Sequence, residues 1–223
     1  MHASLRQGGH ARHLALRKLT NLANELIEWR SDHEIRRIDK EGGGVFDFVK
    51  GLRLAARLIY ILKERLERHG LDANWGQIMD DKGVYLSPEC DIIVHANGHL
   101  DRWNGEGPSE IGNIMDFRFI ELRHVLAVIS CKSYLSSVCE RDQKYCARLK
   151  PYLKGRKLWL FAECIPKGKE EDIRQKARKA GHDFLWYLYT WDDKSLVPEQ
   201  DRPQWQDFLQ AVDKLADATQ TKK

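Results

Sequence analysis

SPECDIIVH (87–95) and VLAVISCKSYL (125–135) are two short aliphatic runs, each carrying one charged residue where the run meets a turn. Apolar stretches of this length, bounded by turn residues, read as strands covered on both faces of a sheet. Asp91 opens the first strand just after a proline turn, and Lys132 closes the second. A carboxylate and an ammonium at the ends of hydrophobic strands are costly to bury unless they are paired or bind an ion. Side chains alternate along a strand, so Ser130 and Lys132 share one face while Cys131 points to the other. On residue types alone, Asp91 and Lys132 read as a structural ion pair as readily as a chemical site.

Working outward, residues 13–40 and about 45–68 show apolar positions at helical spacing, among them Phe48, Leu52, Ala55, Ala56, Ile59 and Leu62 in the second segment. The glycine run Gly42 to Gly44 is expected to separate the two helices, and Gly70 to cap the second. Trp75 to Met79 reads as a further strand, ahead of Cys90 to His95 and Val125 to Ser130. The glycine- and asparagine-containing segment between His95 and Val125 reads as a long loop. Ser136 or Ser137 is expected to start a helix that runs to about Leu149, with Ser137 and Glu140 at capping-box spacing. KLWLFAECI (157–165) and FLWYLYTW (184–191) are strands, residues 169–180 and 203–216 helices, and the tail from Ala218 is expected to fray. The order gives an α/β domain with a mixed central sheet flanked by helices, preceded by an N-terminal helical extension. The expected boundaries are 1–44 for the extension, 45–217 for the α/β domain and 218–223 for the tail.

Composition narrows the setting. The 223 residues are 42% apolar and include seven tryptophans, enough for one buried core. The formal charge of +4 suits a polyanionic partner without requiring one. Five cysteines, none at C-x-x-C spacing, argue against a disulfide framework or a structural zinc and point to the cytoplasm. The charged start lacks the apolar core of a signal peptide, and no window is apolar enough to span a membrane.

The two opening strings carry a family resemblance. An acidic residue on one strand, followed by (D/E)-x-K at the end of the next, is the signature of the PD-(D/E)XK nuclease superfamily. The order helix, three strands, helix, strand resembles its restriction-endonuclease-like core. S-P-x-C-D-I-I followed by V-x-A-V-I-x-x-K-S is similar to a bacterial uncharacterised family that reads S-P-Q-C-D-I-I and A-V-I-E-V-K-S; the similarity spans roughly residues 45–165. It implies a divalent-metal-dependent nuclease, using Mg²⁺ or Mn²⁺ and acting on nucleic acid, DNA before RNA, in bacterial or phage defence or in DNA processing. Asp91 would bind the metal, with the Cys131 backbone carbonyl as a further ligand. Lys132 would position the attacking water or offset charge on the phosphorane. Ser130 stands where the second acid belongs, giving S-x-K in place of E-x-K. Glu140 or Asp142 on the following helix would supply the missing carboxylate; otherwise the domain is a non-catalytic nucleic-acid or partner-binding module on a degenerate nuclease fold.

Other residues have plainer readings. Arg148, Lys150, Lys154, Arg156 and Lys157 would neutralise phosphates or simply form a charged surface. Glu89 reads as a solvated turn residue, and His182 as a surface histidine. Cys139 and Cys146, a heptad apart, read as one buried helix face, and Trp186, Tyr187 and Tyr189 as strand packing. A homodimer, or a protein partner in a defence system, is compatible with this organisation.

Overall fold

Residues 33–96, 117–192, 196–197 and 202–220 are described by the computed structural model, which places them in one mixed sheet with helices on both faces. Helix α1 (His33–Leu66) leads through Gly70, in the left-handed conformation at φ 67°, into β1 (Leu71–Met79). Then follow β2 (Cys90–Ala96), β3 (Phe117–Glu121), β4 (Val125–Tyr134), α2 (Glu140–Leu149), β5 (Lys157–Pro166), α3 (Glu170–Ala180), β6 (Phe184–Trp191), β7 (Leu196–Val197) and α4 (Arg202–Gln220). The sheet order is β3-β1-β2-β4-β5-β6-β7. β2 runs antiparallel to both β1 and β4, whereas β4, β5 and β6 are parallel and are connected by α2 and α3.

Leu54, Leu58, Leu62 and Leu66, four residues apart on α1, are all fully buried against one face of the sheet. Trp205, Phe208 and Val212 of α4 pack on the same core beside Trp159, Phe161 and Trp186. The opposite face carries two smaller clusters, one with Cys146 and Leu149 of α2, the other with Ile173 and Ala177 of α3. Arg65 closes the α1–α4 side by donating from Nε to Asp213 at 2.7 Å. Among the described residues, no helix is long and apolar enough to cross a membrane.

Several expectations change. The glycine run does not end a helix: α1 is continuous from His33 and crosses residues 42–44. Glycine weakens a helix by only about 1 kcal/mol per residue, and the buried leucine stripe downstream anchors this one. Residues 1–32 lie outside the described residues, as does the segment 97–116. The expected loop nonetheless ends in a strand, β3, pairing in parallel with β1. Gly76 permits that pairing, because a Cβ there would collide with the Arg118 carbonyl. α2 starts after Cys139 rather than after a serine, and Asp142, not Glu140, reaches back to the Cys139 amide at 3.0 Å. α4 continues past Ala218 to Gln220. Trp186, Tyr187 and Tyr189 are indeed core residues.

Candidate functional site

β2 and β4 are neighbours, with Ile92 opposite Ile129, so Asp91 comes beside Ser130 and Cys131. The Cys131 amide donates to Asp91 Oδ2 at 2.7 Å, and the Ser130 hydroxyl approaches the same oxygen at 3.4 Å. Oδ1 carries no hydrogen bond among the described residues. Burial drives the Asp91 carboxyl above the ordinary carboxylate range; the Cys131 amide, the Lys132 charge and Ser130 pull it back only in part. A residue's amide and carbonyl point to the same edge of its strand, so the Cys131 carbonyl is directed to the Asp91 edge as well.

β4 leaves the core at Lys132: Ala127 to Cys131 are buried, Lys132 and Ser133 are half-buried, and Tyr134 is exposed. Lys132 Nζ meets Asp142 Oδ1 at 2.6 Å. Asp142 is delivered by the first turn of α2, where its Oδ2 accepts the Cys139 amide at 3.0 Å and the Cys139 thiol at 3.2 Å. Burial raises the Asp142 carboxyl, but the Lys132 bond and charge together with Cys139 outweigh it and hold it below the usual range. A carboxylate from the next helix thus lies beside Lys132, the residue two positions after Ser130. Glu140, its neighbour, faces solvent and pairs with Lys144 at 2.8 Å, one turn along the same helix.

The basic run lies elsewhere. Lys157 pairs with Ala127, five residues before Lys132 and so about 17 Å away along β4. Arg156 donates to the Val125 carbonyl at 2.9 Å and holds the start of β4. Arg148 and Lys154 are exposed, and Lys150 alone reaches back electrostatically, acting on Cys146 and His182.

His182 is buried, contrary to its sequence reading. The left-handed turn at Gly181 folds it under α2, where its Nε2 lies 3.2 Å from Cys146 Sγ. Burial lowers its pKa to about 4. Cys139 is exposed, so only Cys146 fits the expected buried face. Glu89 is exposed but takes the Trp75 indole N–H at 2.7 Å. Asp91, Cys131 and Asp142 offer oxygen donors of the kind a hard divalent cation prefers, although among the described residues no three acidic, histidine or cysteine side chains converge.

No protein-family model and no curated protein matches the chain in sequence. Solved structures do match in fold. NucC of P. aeruginosa ATCC27853, in its cAAA-bound form, is 14% identical over 90% of each chain with a TM-score of 0.56. NucC of E. coli MS115-1 superposes in its cAAA-bound form with a TM-score of 0.51, at 14% identity over 90% of this chain and 89% of that one. Its apo form gives 0.50, at 11% identity over 88% and 89%. The fold is therefore restriction-endonuclease-like, while identities this low speak to fold alone.

Proposed function

We propose that this chain is a divalent-metal-dependent nuclease hydrolysing phosphodiester bonds, with DNA as substrate, in bacterial or phage defence. The observation that carries this reading is the Asp142 carboxylate, brought within 2.6 Å of Lys132 by the helix that follows the strand. It supplies from α2 the acid that Ser130 cannot. The NucC neighbours, nucleases of anti-phage defence, support the same assignment through their fold.

Asp91, Asp142 and the Cys131 carbonyl would hold Mg²⁺ or Mn²⁺, as hard oxygen donors suited to either ion. When bound, such a cation polarises a phosphoryl oxygen and lowers the pKa of bound water. The remaining work falls to side chains. The Cys131 amide and Ser130 hydroxyl hold Asp91 Oδ2, fixing the carboxylate's orientation. Lys132, one-third exposed at the end of β4, presents its ammonium to the scissile phosphate and offsets the growing negative charge. To do so it must leave Asp142, and the two charges are then separately available, one to cation and one to substrate.

The test is cleavage of double- and single-stranded DNA and of RNA by purified protein with Mg²⁺ or Mn²⁺. Asp91→Ala, Lys132→Ala and Asp142→Ala should each reduce the rate by about 100-fold or more. A protein that neither binds Mn²⁺ in calorimetry nor cuts any substrate overturns the reading. A binding module is the second reading, favoured by the closed Lys132–Asp142 pair; nucleic-acid binding that survives Asp91→Ala without any cleavage would select it.

A further inference from the structure

α2, α3 and the turns that follow them carry two kinds of cation. Lys144 and Lys176 are each neutralised by an acid one helical turn earlier, Glu140 and Asp172, both at 2.8 Å. Lys150, Lys154, Lys157, Arg178 and Lys179 are exposed and form no ion pair among the described residues. The fold gathers these five at one end of the helical layer. Lys150 caps the C-terminus of α2, and Lys154 lies on the turn after it. A Cβ on Gly181, at the close of α3, would stand 3.5 Å from Cδ and Cε of Lys150, so the lysine stem crosses to the end of α3, where Arg178 and Lys179 form the last turn. Lys157 opens β5 beside the same place, because the Asp183 amide donates to the Leu158 carbonyl at 2.7 Å. Asp183, the acid of that turn, is itself engaged: its Oδ2 accepts the Leu158 amide at 2.7 Å. Cations at a helix C-terminus complement its dipole, which accounts for Arg178 and Lys179 but not for Lys154 and Lys157. Like charges gathered without counter-charges repel one another and attract a polyanion. Tyr152 stands exposed among them, an aromatic face beside cations, the combination that holds nucleotides.

We propose that Lys150, Lys154, Lys157, Arg178 and Lys179 form an anchoring surface for the phosphate backbone of nucleic acid, remote from the cut. α2 carries Asp142 in its first turn and Lys150 at its end, eight residues and so about 12 Å apart. Lys157, paired with Ala127, lies about 17 Å from Lys132 along β4. At about 3.4 Å per nucleotide, the patch meets the backbone about four to five nucleotides from a phosphate at Lys132. Each cation there neutralises a phosphate and releases a counter-ion, which gives affinity without reading sequence. The part played in cleavage rests on the nuclease reading of Asp91, Lys132 and Asp142. The binding surface itself does not.

The experiment is fluorescence anisotropy with a labelled DNA duplex of about 20 base pairs and with its single strand, in EDTA so that nothing is cut, over a range of salt. Lys150→Gln with Arg178→Gln removes two charges and keeps much of each side-chain stem. On the probe that the natural protein binds more tightly, this pair should weaken binding at least about 10-fold at about 0.1 M salt, and for a duplex it should make the slope of log K against log salt shallower by about 1.8. Lys82→Gln with Lys214→Gln removes the same charge from exposed positions elsewhere and should cost less than about 2-fold. Unfolding midpoints of both double variants should match the natural protein. Equal losses in the two pairs, or no binding of either probe by the natural protein, overturn the proposal. So does polyglutamate that binds as tightly as DNA and loses as much in the first pair, which would make the surface a dock for an acidic protein. If DNA binds through this surface but the protein binds no Mn²⁺ and cuts nothing, the nuclease reading falls and the anchoring surface stands. If the protein cuts while the first pair binds like the second, the surface falls and the nuclease reading stands.

Discussion

The two faces of the sheet are built on different terms. Under α1 and α4 the contact is wide, aliphatic and aromatic, with Phe208 set against Trp159, Phe161, Trp186 and Trp205 at ring distances of 5.0–6.2 Å. Under α2 and α3 the apolar clusters are smaller, and polar groups interrupt them: Ser130, Asp142 and His182 are all buried there. Apolar packing tolerates variation in exact geometry, whereas each buried polar group needs its own partner. The first face therefore supplies most of the apolar packing, and the second holds Ser130, Asp142 and His182 in more exacting surroundings.

The largest effect that would sharpen this contrast is on the aromatic face. Phe208 is fully buried and touches four other rings. Phe208→Ala should destabilise the domain by about 3–5 kcal/mol in urea or guanidinium unfolding. A loss no greater than that of a surface substitution would mean that the two faces share the load, and the comparison would break.

The next effect, on the polar face, depends on pH. His182 is neutral in its buried position, with its pKa lowered from 6.5 to about 4. Between those values the unfolded chain binds the proton and the folded chain does not, so stability falls as pH drops from about 6.5 to about 4. At about 1.4 kcal/mol per tenfold change, the full loss is about 3 kcal/mol. Asp142 adds to the fall only lower down, being lost as pH drops below 3.8 through its own depressed value. His182→Gln should flatten the stability curve between pH 6.5 and 4. A variant with the same slope as the natural protein would show that His182 is not held neutral.

The aliphatic runs around Asp91 and Lys132 made the central strands legible, since continuous Val, Ile and Leu has few readings other than a covered strand. The parallel half of the sheet followed from its regular alternation of strands and helices. What escaped were features set by long-range contact. β3 is short, and its glycine-matched pairing with β1 brings together residues about forty positions apart. The start of α2 was misplaced because serine caps better than cysteine by propensity, yet the Asp142 carboxylate, drawn by Lys132, fixed the turn at Cys139. That Asp91, Ser130 and Lys132 lie close together was readable because two neighbouring strands carry them. Asp142 and Glu140 were not separable in the sequence; only the helix phase decides which points inward.

A smaller effect tests the relocation of the acid. If Asp142 serves as the second carboxylate, Ser130→Glu adds a third charge beside Asp91 and removes a hydroxyl from its Oδ2. Like charges repel and push the already raised Asp91 carboxyl further up. Mn²⁺ affinity should then stay level or fall, by up to about 10-fold for about 1.4 kcal/mol of repulsion. A clear gain in affinity or cleavage would mean that the site had lost its acid without replacement.

The smallest expected effect belongs to Glu140, the residue that the sequence offered as a metal ligand. It sits at the head of α2 with its side chain 78% exposed, engaged only with Lys144 at 2.8 Å. An exposed pair one helical turn apart is worth about 0.3–0.5 kcal/mol, and a carboxylate in a first turn adds a little through the helix dipole. Glu140→Ala should therefore shift unfolding by well under about 1 kcal/mol and leave both Mn²⁺ binding and cleavage unchanged, while Asp142→Ala abolishes cleavage. The two carboxylates differ by two positions on one helix, so composition, net charge and helix propensity change almost equally in the two variants. Only direction separates them: Asp142 turns toward Lys132 and the sheet, Glu140 toward water. Loss of metal binding in Glu140→Ala would place the working acid on the outer face of α2, and the Lys132–Asp142 pair would then be a structural clamp like Arg65 and Asp213 on the other side of the sheet.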